Sequence, residues 1–150
     1  MKSPEAFDET LLAPCGVNCG VCYRRVMPRR RGKPCGGCLG DGAGRAGACR
    51  ECAIRECAAN KELRLCAACR AGPCARLRNL DGSYRKRYGV SPRENGRRAL
   101  EAGVAAFMKE ELAAWTCRCG GLISLHDGVC GECGREHARR NGGGAMEGGE

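Results

Sequence analysis

Closely spaced cysteines are the residues of this chain that are best suited to chemistry. Five Cys-x-x-Cys pairs occur, at Cys19/Cys22, Cys35/Cys38, Cys49/Cys52, Cys66/Cys69 and Cys130/Cys133. A gap of two residues lets a tight turn aim two thiolates at one ion. A single pair of this kind could be a thioredoxin-like redox motif, but five pairs in 150 residues favour metal coordination.

The sequence predicts reduced, metal-bound cysteines rather than disulfides. There are 15 cysteines, an odd number that cannot pair completely. Residues 1–14 lack the apolar segment of a signal peptide, and no stretch approaches the roughly 20 apolar residues of a membrane span. We therefore expect a cytoplasmic protein that does not associate with membranes, in a compartment where structural disulfides are rare.

Metal sites are also needed because the apolar core is small. Leu, Ile, Val and Phe together supply only 21 of the 150 residues. Burying so few large side chains offsets little of the entropy lost on folding. A structural zinc site contributes on the order of 10 kcal/mol, so we expect metal binding to supply most of the folding free energy.

Eleven cysteines lie between residues 15 and 74. The first three form Cys15-x3-Cys19-x2-Cys22, and the last six form a repeat in which CRECAIREC and CAACRAGPC both read Cys-x2-Cys-x4-Cys. Eleven thiolates cannot close three separate four-cysteine sites. Two closed sites would leave three thiolates, either in an open site, for which the first triplet is the natural candidate, or sharing sulfurs in a cluster. The spacing leaves open which cysteines share an ion.

Residues 91–114 are predicted to form one amphipathic helix. Ser91 is placed to cap its start, with Pro92 at the first helical position. An apolar stripe follows at helical spacing, and we expect it to pack against the cysteine-rich body, although a partner-binding face has the same pattern. The stripe consists of Leu100, Val104, Phe107, Met108, Leu112 and Trp115.

Residues 115–137 are predicted to form a zinc ribbon. Two cysteine pairs flank a short hairpin with a turn at Asp127-Gly128, and the first pair is one residue shorter than usual. If four cysteines close this site, His126 and His137 are spare loop residues. The predicted metal ligands are Cys15, Cys19, Cys22, Cys35, Cys38, Cys49, Cys52, Cys57, Cys66, Cys69, Cys74, Cys117, Cys119, Cys130 and Cys133.

The predicted fold is a small α+β or irregular metal-stapled cysteine-rich domain, one amphipathic helix and a zinc-ribbon β-hairpin. The domain covers residues 1–80, a basic linker and the helix cover 81–114, the ribbon covers 115–137, and a disordered tail covers 138–150. We expect about three or four zinc ions. An iron–sulfur cluster is the alternative, because four-cysteine sites accept iron as well.

Basic segments suggest a partner. The formal net charge is +9, and cations cluster in Arg24–Lys33 and Arg76–Arg98. In the second segment, Tyr84 and Tyr88 flank three cations and could stack on bases while the cations meet phosphates. The alternative is a solvated surface that offsets anionic metal centres.

Residues 12–80 resemble the family called domain of unknown function 3795. The segments APCGVNCGVCY, CGGCLGDGAG, CRECAIREC and CAACRAGPCARL follow the order that is typical of the family, and all eleven cysteines fall at matching places. Some members continue into a zinc ribbon that is similar to the segment from Trp115 to Gly134, where this chain is one residue shorter between Cys117 and Cys119. The chain also carries arginine at many positions where family members tend to have Glu or Lys. The resemblance implies zinc binding and supplies no reaction.

We therefore predict a non-catalytic zinc-binding module of unknown biological role that binds nucleic acid or protein. Two other classes remain open: an iron–sulfur or redox protein, and a metal-dependent enzyme with an open zinc site that holds a water molecule.

Overall fold

The computed structural model describes residues 1–27, 34–40, 49 and 51–137. Within these residues the protein is cysteine-rich and mostly helical, with little strand. The predicted tail at 138–150 lies outside the described residues, as do residues 28–33 of the first basic segment. The α-helices are α1 (Tyr23–Val26), α2 (Ala53–Asn60), α3 (Ala75–Tyr88), α4 (Pro92–Ala102) and α5 (Val104–Ala114), and short 3-10 helices cover Glu9–Leu11, Cys19–Val21 and Cys66–Ala68.

Helix α3 occupies a segment that was predicted in part as a linker. Leu77 and Asp81 are buried on one side of it, and Tyr84 and Tyr88 continue that face toward the core. This spacing of four, three and four residues keeps all four on one helical face. The helix ends at Gly89, whose φ of 71° lies in the left-handed region that favours glycine.

The helix predicted over residues 91–114 is two helices. Ser91 caps α4 as expected, because its hydroxyl accepts a hydrogen bond from the Glu94 N–H at 3.1 Å. Gly103 then adopts a φ of 96° and separates α4 from α5. The break turns Leu100 away from the rest of the stripe, so it is 51% exposed while Phe107 is 1% exposed.

The other stripe residues belong to a core that draws on distant parts of the chain. Phe107, Met108 and Trp115 are buried, and Val104 and Leu112 pack against them, which confirms core packing for this part of the stripe. The remaining large members are Leu65, Val90 and residues of the N-terminal segment and of the ribbon segment. They include Phe7, Leu11, Leu12, Val21, Val26, Leu122, Ile123 and Leu125.

The predicted β-hairpin of the ribbon does not form continuous strands in the described residues. Its backbone instead makes isolated antiparallel bridges, Thr116 to Leu122, Ile123 to Cys130 and Val129 to Glu136. Turns at 118–119, 125–127 and 131–133 interrupt this short segment and separate the bridges from one another. The predicted turn is present, because the Gly128 N–H bonds to the Ser124 carbonyl at 2.8 Å.

Candidate metal centre

Two tight turns position the four cysteines of the ribbon segment. In the first turn the Gly120 N–H bonds to the Cys117 carbonyl at 2.8 Å, and in the second the Gly134 N–H bonds to the Cys130 carbonyl at 3.0 Å. Both glycines have positive φ, 92° and 78°, which a residue with a side chain adopts only at a cost. The turns therefore present their thiols toward each other.

The four sulfur atoms have the spacing of a tetrahedral metal site. All four lie within 4.8 Å of one another, with Cys117 Sγ 3.7 Å from Cys133 Sγ and Cys119 Sγ 3.5 Å from Cys130 Sγ. Tetrahedral zinc–sulfur bonds of about 2.3 Å require sulfur atoms about 3.8 Å apart. A disulfide requires about 2.05 Å. The shortened first pair therefore still fits one ion, and four thiolates suit zinc or iron.

Backbone N–H groups stabilise negative charge at this site. The N–H groups of Gly121 and Glu132 donate to the sulfurs of Cys119 and Cys130, each at 3.3 Å. Burial alone would raise the pKa of Cys130, but the N–H groups of Cys133 and Glu132 and the neighbouring thiols lower its pKa to about 7. A thiolate is the form that binds metal, so the local backbone favours metal binding.

The eleven N-terminal cysteines are gathered less tightly. Among the described residues, which include all fifteen cysteines, the ribbon group alone has every ligand atom within 4.8 Å of the others. Several of the remaining thiols show the same N–H···S contact from the residue two positions later. The donors are Val17 to Cys15, Arg24 to Cys22, and Gly37 to Cys35 at 3.4 Å.

The first triplet is isolated in sequence but has other cysteines around it in space. A hydrogen bond with the Cys38 thiol, together with burial, raises the pKa of Cys19. Burial raises the pKa of Cys15 strongly and that of Cys22 to about 11. Neighbouring thiols contribute to both of these shifts, from Cys38, Cys52 and Cys66 at Cys15 and from Cys35 and Cys49 at Cys22.

His126 lies outside the four-thiol group and holds the ribbon segment against α1 and α3. Its Nδ1 accepts the Tyr23 N–H at 3.4 Å, and its Nε2 is 3.4 Å from the Tyr84 hydroxyl. Its ring also meets those of Tyr23, Tyr84 and Tyr88 edge-on. Burial lowers the pKa of His126 and favours the neutral ring. This docking role was missed, since a lone histidine in a loop gives no sequence signal for it.

A buried polar network also escaped the sequence patterns. The Glu111 carboxylate accepts hydrogen bonds from the Asn18 amide at 3.1 Å and the Trp115 indole at 3.2 Å. Asn18 in turn accepts the Gly20 N–H at 2.9 Å and so caps the 3-10 helix that begins at Cys19. The network therefore connects an N-terminal cysteine turn to the start of the ribbon segment. The available signal was an acid beside the apolar stripe of α5.

Cations of both basic segments have intramolecular partners within the described residues. In the described part of the first segment, Arg25 donates to the Cys35 carbonyl at 2.9 Å. In the second, Arg97 pairs with Glu94 and Glu101, and Arg98 pairs with Glu110 at 2.8 Å.

Tyr84 and Tyr88, which could stack on bases according to the sequence, are half-buried. Both tyrosines pack against the core, and each meets the ring of His126.

Comparisons with known proteins support a resemblance for the N-terminal cysteine-rich segment only. No helix in the described part of the chain is both long and apolar enough to cross a membrane. No curated protein and no solved structure gives a significant match. Residues 11–79, which contain all eleven N-terminal cysteines, match the model of the family described as "Protein of unknown function (DUF3795)", and the chain is therefore similar to this family over that segment.

Proposed function

We propose that the chain is a non-catalytic zinc-binding module that contacts double-stranded nucleic acid through the exposed face of α3. The observation that carries the proposal is the charge of that face. Every charged residue that α3 exposes to solvent is a cation, and its one acid, Asp81, is buried. The cations are Arg76, Arg78, Arg85, Lys86 and Arg87.

Zinc is the proposed metal because of the chemistry of the ribbon ligands. Four thiolates at tetrahedral spacing suit zinc, which binds a given site more tightly than ferrous iron does. Four protein ligands also close the coordination sphere and leave no position for a substrate or a reactive water. The ribbon site therefore supports a structural role.

Helix stability explains Arg85, Lys86 and Arg87, which lie in the last turn of α3, but not the cations of its first turn. Cations are favourable near the C-terminus of a helix, where they complement the helix dipole, and unfavourable in the first turn. Arg76 and Arg78 lie in the first turn, which contains no acid. Arg78 is held there by a hydrogen bond to the Pro73 carbonyl at 2.6 Å. In this helix, about 21 Å long, positive charge lies near both ends of the exposed side.

Gly82 lies near the middle of this exposed face. A Cβ atom added there would meet nothing within 4 Å, so packing within the described chain does not require glycine. Glycine in a helix interior costs about 1 kcal/mol relative to alanine. Glycine does let another molecule approach the backbone closely, which fits a nucleic acid backbone lying between flanking cations.

The face suits nucleic acid better than protein. Interfaces between proteins are centred on buried aromatic and apolar residues. The large apolar side chains exposed in the described residues, Leu39 and Leu100, are not on α3. Since Tyr84 and Tyr88 face inward, α3 also lacks the aromatic platforms on which single strands stack. With protein and single strands disfavoured, the exposed cations of α3 best suit contacts to the phosphates of a duplex.

Binding of a labelled duplex of about 20 base pairs, measured by fluorescence anisotropy between about 50 and 200 mM salt, tests the proposal. We expect a steep salt dependence. Changing Arg76 and Lys86 to Ala should reduce the slope of log K against log salt by about 0.9 for each phosphate that is no longer neutralised. The control changes Arg97 and Lys109 to Ala, which removes the same charge from α4 and α5 and should change the slope much less.

Equal losses in the two double variants would show general charge attraction and would refute a role for α3. Tighter binding to a single strand would also contradict it. Elemental analysis and an absorption spectrum of anaerobically purified protein test which metal is bound. Iron together with visible absorption would refute zinc and indicate an iron–sulfur cluster.

A further inference from the structure

Two consecutive residues of the ribbon segment hold the backbone on both sides of Cys22. The Leu125 N–H bonds to the Val21 carbonyl at 2.9 Å, directly before this cysteine. Directly after it, the Tyr23 N–H donates to Nδ1 of His126 at 3.4 Å. Leu125 and Val21 are both buried in the core. The position of the Cys22 backbone therefore depends on the ribbon segment.

The other end of this cysteine pair is held by residues that lead into the ribbon. Cys19 begins a short 3-10 helix, and the Asn18 side chain caps that helix. The Asn18 amide also donates to the Glu111 carboxylate, which accepts the Trp115 indole N–H as well. Trp115 lies two residues before Cys117, the first ribbon cysteine. Both ends of the Cys-x-x-Cys turn are thus connected to the C-terminal part of the chain.

The second cysteine turn of the ribbon touches the same region directly. Gly131 lies between Cys130 and Cys133, and a Cβ atom added to it would lie 2.2 Å from the Val26 carbonyl oxygen. Only glycine permits so close an approach. Val26 is the last residue of α1, the helix for which Cys22 is the N-cap residue. The turn that carries two of the four clustered thiols therefore packs against the helix that follows Cys22.

Apolar packing alone gives this second turn little support. Leu122, Ile123 and Leu125 anchor the first part of the ribbon segment in the core. Among residues 126–137, Cys130 alone belongs to the core, and isolated bridges link the backbone. In segments of this kind the free energy of metal binding is folding free energy. A metal ion on the four thiols should therefore fix the positions of the second turn and of His126.

We infer that metal binding at the ribbon controls the N-terminal Cys19/Cys22 pair, with His126 as the positioning residue between them. The inference rests on the zinc-binding part of the proposed function and adds a regulatory role to the ribbon site. With zinc bound, the ribbon holds the pair in its observed turn. Without zinc, the turn loosens and its two thiols become reactive. Because linked binding equilibria are reciprocal, metal on the N-terminal pair should raise the zinc affinity of the ribbon by the same factor.

A ribbon that folds as a separate unit is the alternative, since a separate unit would bind its metal independently of the rest of the chain. The sequence alone predicts such a unit at residues 115–137. In the structure, however, Val21 and Val26 pack in the same apolar cluster as Leu122 and Leu125. The shared core and the backbone bonds on both sides of Cys22 favour coupling.

Alkylation of the zinc-loaded, full-length protein tests the inference. The Cys133→Ser variant removes one exposed ligand of the ribbon, and mass spectrometry measures how fast iodoacetamide labels each cysteine. We expect Cys19 and Cys22 to be labelled about 5- to 150-fold faster than in the wild type, the usual range of coupling between two sites. The control, Arg135→Ala, changes an exposed residue beside the same turn and should leave both rates unchanged.

Two results would overturn the inference and leave the zinc and duplex binding of the wild type intact. If Cys133→Ser loses the ribbon zinc while the labelling of Cys19 and Cys22 stays unchanged, the core alone holds their turn. If all eleven N-terminal cysteines are labelled equally faster and the helical circular dichroism is lost, the variant has simply unfolded. A wild-type chain without zinc at the ribbon would instead refute the proposed zinc binding, and this inference with it.

A second variant tests the role of His126. In His126→Phe the ring remains but Nδ1 is lost, so the Tyr23 N–H loses this acceptor. We expect Cys22 to be labelled about tenfold faster, because a half-buried donor loses its bond, while the ribbon cysteines stay protected by zinc. In the Cys133→Ser background the same change should have a smaller effect, since the ribbon no longer positions His126. Independent, fully multiplicative effects on the labelling rate would show that His126 does not connect the two sites.

Discussion

Changing Gly82 to Ala should raise the stability of the fold and lower the affinity for nucleic acid, so this substitution distinguishes the two effects. The site lies inside α3, and an added Cβ would meet nothing within 4 Å. Alanine should therefore stabilise the fold by about 0.5–1 kcal/mol through its better helix propensity. In a chain of this size, that corresponds to a rise in Tm of about 2–4 °C per kcal/mol.

The same methyl group should weaken nucleic acid binding, because it stands between the flanking cations where a backbone would approach. We expect the affinity for duplex to fall several-fold while the Tm rises. Thermal unfolding followed by circular dichroism at fixed zinc concentration, and anisotropy with a labelled duplex, measure the two effects on the same sample.

The matched control is Asn79→Ala on the same exposed face. It also improves helix propensity, but it removes atoms rather than adding them, so we expect a higher Tm with little change in affinity. If Gly82→Ala leaves duplex binding unchanged, close approach at this position is refuted. If it lowers the Tm, the open helical environment of Gly82 is itself wrong.

Two further substitutions test how the cysteine turns are held. Gly16→Ala should destabilise the protein by about 3 kcal/mol or more, because its φ is 101° and the new Cβ would lie 1.9 Å from the Pro92 carbonyl oxygen; thermal unfolding measures this, and a Tm equal to that of the wild type would contradict the contact. Glu111→Ala should cost about 2–4 kcal/mol, because it leaves the Asn18 amide and the Trp115 indole without this acceptor. Urea unfolding followed by Trp115 fluorescence measures the loss, and Glu111→Gln, which keeps an acceptor oxygen, should lose less than half as much; equal losses would show that these two hydrogen bonds do not matter.

Local signals account for what the sequence predicted well. The four ribbon cysteines come together because two short turns, each closed by a glycine of positive φ, place them. The start of α4 was predictable for the same reason, since Ser91 and Pro92 act within one helical turn.

Features that depend on distant contacts were not predictable in this way. The apolar periodicity ran through Gly103, but the backbone breaks there, and Leu100 turns to solvent. In α3, the many arginines obscure the pattern of core-facing residues in the sequence. These core-facing residues include a buried acid, Asp81, which accepts hydrogen bonds from the Ser91 hydroxyl and the Arg93 N–H. A carboxylate on the core face has no counterpart in a simple apolar pattern.

The grouping of the N-terminal cysteines shows the same limit. Spacing suggests that cysteines close in sequence share an ion, and the first triplet then appears isolated. In the structure, Cys15 and Cys22 have different thiol neighbours. Glu62, with a φ of 57°, also reverses the chain after α2, and nothing in the cysteine spacing indicates a left-handed residue at that position.

Metal binding also changes how the net charge should be understood. Each metal-bound cysteine is a thiolate that carries about −1, so most of the formal charge of +9 is offset when the sites are filled. Long-range attraction of the whole chain for a polyanion then becomes weak, while the cations of α3 remain as a local cluster. Exposed charges are screened beyond about 8 Å at physiological salt. If α3 is the contact surface, binding therefore requires close approach of its exposed face, which is the requirement that Gly82 meets.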